Sequence, residues 1–276
     1  MEEGDGDIDV KVQWANTFAT DEDETLKPFV VDSETVRLKL GGFYALRDDF
    51  YIGAEAALVF RGDGILDYTI DGFHDAFDLG NGGRDLRPTD EYEIFVMDET
   101  GNRDELDEGL GLADLVLKAH WNVTEGDRLL PAVALQGFLG LPTSTEGFGT
   151  DGLDIGVSIS FYKNLFDSVF VYGSLGGVIL TEPKIEGFEF EKFNLQTSVG
   201  GEWALVDDFS IVVQYMYYSG LLEFPRELNR SRHYVAGGFK WEIVEDVDLE
   251  FSVIENLAPF SNSADIVGHL GLGFDL

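Results

Sequence analysis

The sequence predicts an all-β chain: a membrane-spanning antiparallel up-and-down β-barrel of about twelve strands, with short turns at one end and long loops at the other. Three observations carry this expectation. Segments with apolar residues at every second position recur along all 276 residues, which is the period of a strand with one apolar face. Their connections alternate between short acidic turns and longer loops. Aromatic residues gather at the ends of the apolar-parity faces. No window holds the roughly 18 consecutive apolar residues that a membrane-spanning helix needs.

Taken in order, Ile8, Val10, Val12 and Trp14 alternate with Asp9, Lys11 and Gln13 in the first strand. An acidic loop including Asp21-Glu22-Asp23-Glu24 leads to the second, with Val36, Leu38, Leu40 and Tyr44 opposite Arg37 and Lys39. After a tight turn at Asp48-Asp49, the third carries Ile52, Ala54, Ala56, Leu58 and Phe60, with Glu55 on its other face. Residues 61–110 form the one long insertion. Beyond it, Leu115, Leu117, Ala119 and Trp121 oppose Lys118 and His120, and a fifth strand follows Pro131. Pro131 is tolerable near a strand's start, where a missing ladder donor does least harm. Seven further alternating segments centre on Ile159, Val171, Val199, Val213, Phe239, Phe251 and Leu270. Turns near residues 48, 125, 165, 207 and 246 then fall at one end with both termini, and loops near 25, 61–110, 145, 186, 225 and 260 at the other. An even number of strands follows from that placement.

The girdle residues agree with the strand pattern. Tyr44, Phe50, Trp121, Phe161, Trp203, Phe209, Trp241 and Phe274 sit beside the short turns on the apolar parity, and Trp14, Phe60, Tyr215 and Tyr217 towards the long loops. Aromatic belts at both lipid–water boundaries predict this arrangement. A soluble β-sandwich also alternates, but its core does not require aromatics at strand ends or charges on nearly every opposite face. The last strand, Ala264 to Leu276, has apolar residues or glycine at every even position from Ile266, ends in an apolar residue, and has Phe274 at the third position from the end. It resembles the C-terminal strand of Gram-negative outer-membrane β-barrels, which more often end in Phe. That resemblance implies integral residence in the outer membrane, contact with its lipid and lipopolysaccharide, and recognition of the last strand by the barrel-assembly machinery. The whole chain, 1–276, reads as a single domain.

The insertion contains Ile70-Asp71-Gly72-Phe73-His74-Asp75-Ala76-Phe77, followed by Gly82-Gly83-Arg84-Asp85. Ile70, Phe73, His74 and Phe77 share one face of a short helix that Gly80 would end. This IDGFHDAF…GGRD stretch resembles the loop of an uncharacterised family of Gram-negative outer-membrane proteins known only as a domain of unknown function. The resemblance implies fold and location, with no chemistry attached. The helix has two uses: lying at the membrane surface, or folding inward so that Phe73, His74, Phe77 and Arg84 constrict the mouth. A surface loop packed against its neighbours is the third reading.

The chain has 53 acidic and 18 basic residues, a net charge of −35, and no cysteine. Nucleic acid is excluded as a partner, because phosphate neutralisation needs a basic surface. So acidic a chain is usually disordered, but 44% hydrophobic and 13% aromatic residues supply ample apolar surface. High-salt surroundings, or divalent cations held by acidic loops, remain as reasons for the charge. There are no disulfides and no thiolate metal sites. Met1-Glu2-Glu3-Gly4-Asp5 reads as a mature start rather than a leader, so location must come from the strands.

Inward parity collects Lys11, Arg37, Lys39, Glu55, Lys118 and His120 in the first half, and Glu202, Lys240, Glu242, Glu250 and His269 in the second. Both signs are present, so the side chains either pair and fill the interior or line a polar path. Acidic rims speak against a strongly anion-selective pore. Passage of small solutes or an apolar ligand is the first functional expectation, a non-conducting structural or docking barrel the second, and an enzyme acting on lipid the third. For the last, the four histidines (His74, His120, His233, His269) lie in no nucleophile elbow. Pairing His120 with Ser158 or Ser160 has no motif behind it. Asp98, Thr100, Asn102 and Asp104 resemble a calcium loop but lack its glycine and closing glutamate. No metal site, cofactor or catalytic residue is expected.

Overall fold

A computed structural model describes residues 1–20, 29–68, 72, 88–97, 102–223, 228–257 and 264–276. Its strands before the first large turn are β1 (Gly6–Thr20), β2 (Phe29–Arg47) and β3 (Phe50–Gly62). The long connection that follows holds β4 (Glu93–Met97), β5 (Arg103–Glu105) and β6 (Gly109–Leu112). Next come β7 (Leu115–Thr124), β8 (Ala132–Leu141), β9 (Asp154–Phe166) and β10 (Val169–Ile179). A small hairpin, β11 (Lys184–Ile185) and β12 (Phe188–Glu189), precedes β13 (Phe193–Val206) and β14 (Phe209–Tyr218). The chain ends with β15 (Arg232–Val244), β16 (Val247–Asn256) and β17 (Ala264–Asp275).

Twelve of these strands form a ring, in the order β1, β2, β3, β7, β8, β9, β10, β13, β14, β15, β16, β17, all antiparallel, with β17 back on β1. The closing seam runs from Asp7↔Asp275 to Asn16↔Ile266, and the ends are tied by Leu276 N–H on the Gly6 carbonyl at 2.8 Å. A closed ladder leaves no unpaired strand edge, which is the condition for a sheet to stand in lipid. The register keeps the two faces apart. Leu40, in the middle of β2, is 57% exposed on the outer wall, and Val157 of β9 is 61% exposed. Their outward neighbours on every ring strand are apolar, aromatic or small through the central turns of the ladder. Exposed apolar side chains in a continuous belt mark a surface that faces acyl chains. The protein is therefore an integral barrel of the outer-membrane type.

Local chemistry shapes the two ends differently. All five short hairpins carry a one-residue register shift beside the turn, at Ala45/Arg47, Asn122/Thr124, Val169/Phe170, Ala204/Val206 and Glu242/Val244. Such bulges raise local twist and are common at barrel rims. In the β7–β8 turn Gly126 has φ +75°, and a Cβ there would meet the Ala132 nitrogen at 2.4 Å. In the same turn the N–H groups of Leu130 and Leu129 donate to Asp127 and hold its carboxyl below the ordinary range. Pro131 stands one residue before β8, outside the ladder.

At the other end β1 and β2 outgrow their neighbour. β3 stops at Gly62, opposite Glu34, and β4 takes its place beside β2, from Phe29↔Val96 to Asp32↔Glu93. The insertion thus contributes strands to the rim: β4 and β5 extend β2, while β6 continues β3 on its other side. The helix expected over Ile70 to Phe77, with Phe73, His74, Phe77 and Arg84, lies outside the described residues apart from Gly72. The base of the insertion lies on the outer-parity face. Glu34, 4% exposed, accepts Trp14 Nε1 at 2.6 Å and the Leu66 N–H, and Asn16 Nδ2 donates to Asp67 at 3.0 Å. Two buried polar groups of outward parity are thereby satisfied above the apolar belt.

The belt makes a direct prediction. Leu40→Arg places a guanidinium near the bilayer midplane and lowers unfolding stability by about 2–4 kcal/mol, whereas Leu40→Phe is tolerated. Urea unfolding in phospholipid vesicles, followed by tryptophan fluorescence, measures the difference. Equal stability of both variants would mean that this wall does not face lipid.

Candidate functional site

The inner face is set by the same pleat. Residues directly opposite in the ladder share a face, so Lys11 lies beside Lys39, Gln13 beside Arg37, and Lys118 beside Gly53, two residues along β3 from Glu55. Continuing round the ring, His120 opposes Gln136, Ser210 opposes Lys240, and Lys240 opposes Glu250. Eleven residues marked by sequence parity thus take up inner-face positions, and most are drawn into one belt of contacts.

Glu55 is its first node. Lys118 Nζ donates to Glu55 Oε2 at 2.6 Å and Lys39 Nζ stands 3.8 Å from Oε1. Lys11 reaches Asp9 at 3.5 Å. Further round, His269 Nε2 is 3.8 Å from Glu250, and Lys240 donates to Glu202 at 3.1 Å. Glu202 also accepts Ser210 Oγ at 2.8 Å. These groups occupy β7, β3, β2, β1, β17, β16, β15, β14 and β13, a continuous run of the ring. The remaining wall, β8 to β10, carries Gln136, Ser158, Ser160, Tyr162 and Ser174, with Asp154 at its long-loop end. Ser174 shares a hydrogen bond of 2.8 Å with Ser198 of β13. Two predicted residues stand apart. Arg37 forms no ion pair among the described residues, and Glu242 sits exposed at the short-turn rim opposite Asp248.

His120 is held by Asn122 Oδ1 at 3.0 Å and lies against Tyr51, ring centroids 5.5 Å apart. Ser158 and Ser160 are on β9, with β8 between them and β7. That geometry offers no serine–histidine couple at His120. His233 is on the outer parity, where Tyr215 Oη meets its Nδ1 at 2.7 Å as part of the aromatic girdle. Of the calcium-like residues, Asp98 and Thr100 lie outside the described residues, and Asp104 is in β5 opposite Val96.

Several cavities open inside the ring, and two of them adjoin. One of about 430 Å³ is lined by Gln13, Tyr162, Tyr172, Gln214, Lys240, Glu250 and His269 among others. A second of about 400 Å³, nearer the long loops, is lined by Arg37, Tyr218, Arg232 and Tyr234. Gln13, Met216 and Ile254 belong to both walls, so the two spaces adjoin. Arg232, Tyr172, Tyr218 and Tyr234 were not among the residues predicted to line the lumen. The signal is present in the sequence: counting back in twos from Lys240 reaches Tyr234 and Arg232.

Above these cavities lies an apolar cap. Ala19, Phe29, Ile94, Val96, Phe188, Leu222 and Leu228 are buried together, with Val31, Tyr92, Leu106, Phe190 and Leu221 against them. Phe29 and Val96 face each other across the β2–β4 pairing, whereas Phe188 comes from the β10–β13 connection across the ring. A bridge between Phe190 and Leu222 ties that connection to the β14–β15 loop. The turn of the β11–β12 hairpin has φ +46° at Glu186 and +95° at Gly187, as a type I′ turn requires. A Cβ at Gly187 would fall 2.3 Å from the Asp104 carboxyl carbon, so the hairpin and the insertion meet closely. Burial pushes the Tyr92 phenol up, and its hydroxyl donates to the Leu106 carbonyl at 2.7 Å.

Glu55→Gln leaves Lys39 and Lys118 facing each other and costs about 1–3 kcal/mol in unfolding, less than in a dry interior because the pair keeps contact with lumen water. Glu242→Gln at the rim changes stability by less than about 0.5 kcal/mol. Chemical unfolding of the two variants side by side checks this, and equal effects would dissolve the belt as a structural unit.

An outer membrane channel from Pseudomonas putida F1 superposes with a TM-score of 0.67 at 13% identity, covering 100% of this chain and 97% of that one. The NanC porin gives 0.55 at 9% identity, over 98% and 100%. The KdgM porin, in complex with disordered oligogalacturonate, gives 0.52 at 7% identity, over 98% and 99%. At these identities the likeness is one of fold. No curated protein sequence matches the chain. The model of the family described as a protein of unknown function, DUF3187, matches residues 1–276, and the chain belongs to that family.

Proposed function

We propose that the protein is a channel for small solutes across the outer membrane, held narrow at its long-loop mouth. The observation that carries this reading is the pair of adjoining cavities of about 430 and 400 Å³ inside a closed ring. A barrel of this strand number lies between small filled barrels and wide porins, so space remains beside the paired charges. The porin and channel descriptions of its fold neighbours lend the same support. Lys11, Arg37, Lys39, Glu55, Lys118, His120, Glu202, Lys240, Glu250 and His269 are the proposed lining, with Glu242 at the exit. The cap built on Phe29, Val96 and Phe188 narrows the mouth, and Phe73, His74, Phe77 and Arg84 are the proposed loop constriction beside it. The chain acts as one domain, contacts lipopolysaccharide at its loops, and offers its last strand to the assembly machinery. Divalent cations at the acidic loops are part of the same proposal.

A second reading is a non-conducting barrel that docks a partner. It is favoured by the belt of ion pairs, which rigidifies the interior, and by the buried cap over the mouth.

Single-channel recording in a planar bilayer separates them. The wild type is expected to conduct in small or brief steps. A variant with residues 64–105 replaced by a short Gly/Ser linker loses β4 and β5, and is expected to conduct steadily. Phe188→Asp, which puts a charge into the cap, raises the open time in the same direction. Silence from all three overturns the channel reading in favour of the docking barrel.

A further inference from the structure

We propose that the upper cavity, between Arg37 and Arg232, is a binding station for a small organic anion, a carboxylate carried on an apolar or aromatic body. This names a substrate class for the lumen and rests on the channel reading.

The two arginines approach the space from different walls. Arg37 stands on β2, beside Gln13 of β1, and Arg232 opens β15. Between β2 and β15 in the ring lie only β1, β17 and β16, so both guanidinium groups line one cavity of about 400 Å³. Among the described residues no carboxylate lines it. Glu55, the carboxylate whose charge reaches Arg37, is already engaged by Lys118 at 2.6 Å and Lys39 at 3.8 Å. Arg232 donates one N–H to the Ser219 carbonyl at 3.3 Å, lies 5.5 Å from the Tyr218 ring centre, and keeps its buried Nε without a partner. A buried donor without an acceptor carries a desolvation cost that a bound anion would relieve.

The surroundings select the kind of anion. Guanidinium presents a planar fork of donors that matches a carboxylate. Tyr218 and Tyr234 add rings and hydroxyls, and Met216, Ile254 and Val267 give the rest of the wall an apolar surface. A fully hydrated inorganic anion gains nothing from that surface, whereas an acid with a ring or short chain buries it. The net charge of −35 and the acidic rims speak against anion passage. Yet the described residues that line this space include no carboxylate, and a lumen selects at the groups that touch the solute. From the station, a solute would pass by Gln13 and Met216 into the lower cavity, where Lys240 is the next cation.

The test uses the whole protein folded in detergent micelles, with benzoate as probe, benzyl alcohol as its neutral counterpart, and inorganic phosphate. Calorimetric titration is expected to show benzoate binding, with benzyl alcohol and phosphate each at least about tenfold weaker. R37Q and R232Q, each checked for the heat-dependent gel mobility of a folded barrel, should weaken benzoate by about tenfold or more. R232K, which retains the charge without the fork, should fall between them and the wild type. Benzoate and benzyl alcohol binding alike, phosphate binding tighter than benzoate, or unchanged binding in both Gln variants would overturn the assignment. A parallel recording in a KCl gradient keeps the two readings apart. Benzoate binding in a protein that never conducts leaves the site and removes the channel. Conductance without benzoate binding leaves the channel and removes the site.

Discussion

Hydrogen bonding between β1 and β17, ending in the exchange between Gly6 and Leu276, closes a ladder that would otherwise have two edges. In lipid an unpaired N–H or C=O has no water to turn to, and each one left open costs several kcal/mol, on the order of the whole stability of a domain. Closure therefore decides the rest. It requires an even number of antiparallel strands, puts both termini at one end, and converts the period of two along each strand into an inside and an outside. The bulges beside all five short turns belong to the same requirement, because a ring of tilted strands needs extra twist where each hairpin reverses.

Charge is sorted by that division. A chain with 53 acidic and 18 basic residues keeps both kinds off the middle of its outer wall. Inside, it brings opposite signs together. Glu55 between Lys39 and Lys118 serves both adjacent strands, and Glu202 reaches Lys240 across β14. These pairs lie along one side of the ring and leave the middle of the β8–β10 wall to hydroxyls and amides. The lumen is in this way asymmetric, with a fixed charged side and a side of hydroxyls and amides. Arg37 and Arg232 stand outside the pairing.

The long-loop mouth follows a different principle. Above the apolar belt the sheet no longer needs lipid contact, and β4 continues it where β3 has ended. The new surface is buried against side chains from the far side of the ring, as Phe29 and Val96 are with Phe188 and Leu222. Apolar burial of this kind is non-directional and weak per contact. It can close a mouth without fixing it as the ladder fixes the wall.

Much of this was legible in the amino-acid sequence by itself. Strand number, the ends at which turns and loops lie and the lipid-facing residues all follow from a period of two, since each residue's face depends only on its own parity. The terminal strand and the aromatic girdles reinforced that reading. Tertiary structure alone decided the rest, because it depends on which strands become neighbours and how far they slide. Parity put Glu55 inside but could not pair it with Lys118 across the β3–β7 register. It could not bring Arg232 towards Arg37, which are 195 residues apart in the chain and meet only when the ring closes. Nor could it reveal that residues 93–97 form a strand on β2, where the pairing and its burial against Phe188 come from distant segments. Local pattern determines the wall, and closure determines what the wall encloses.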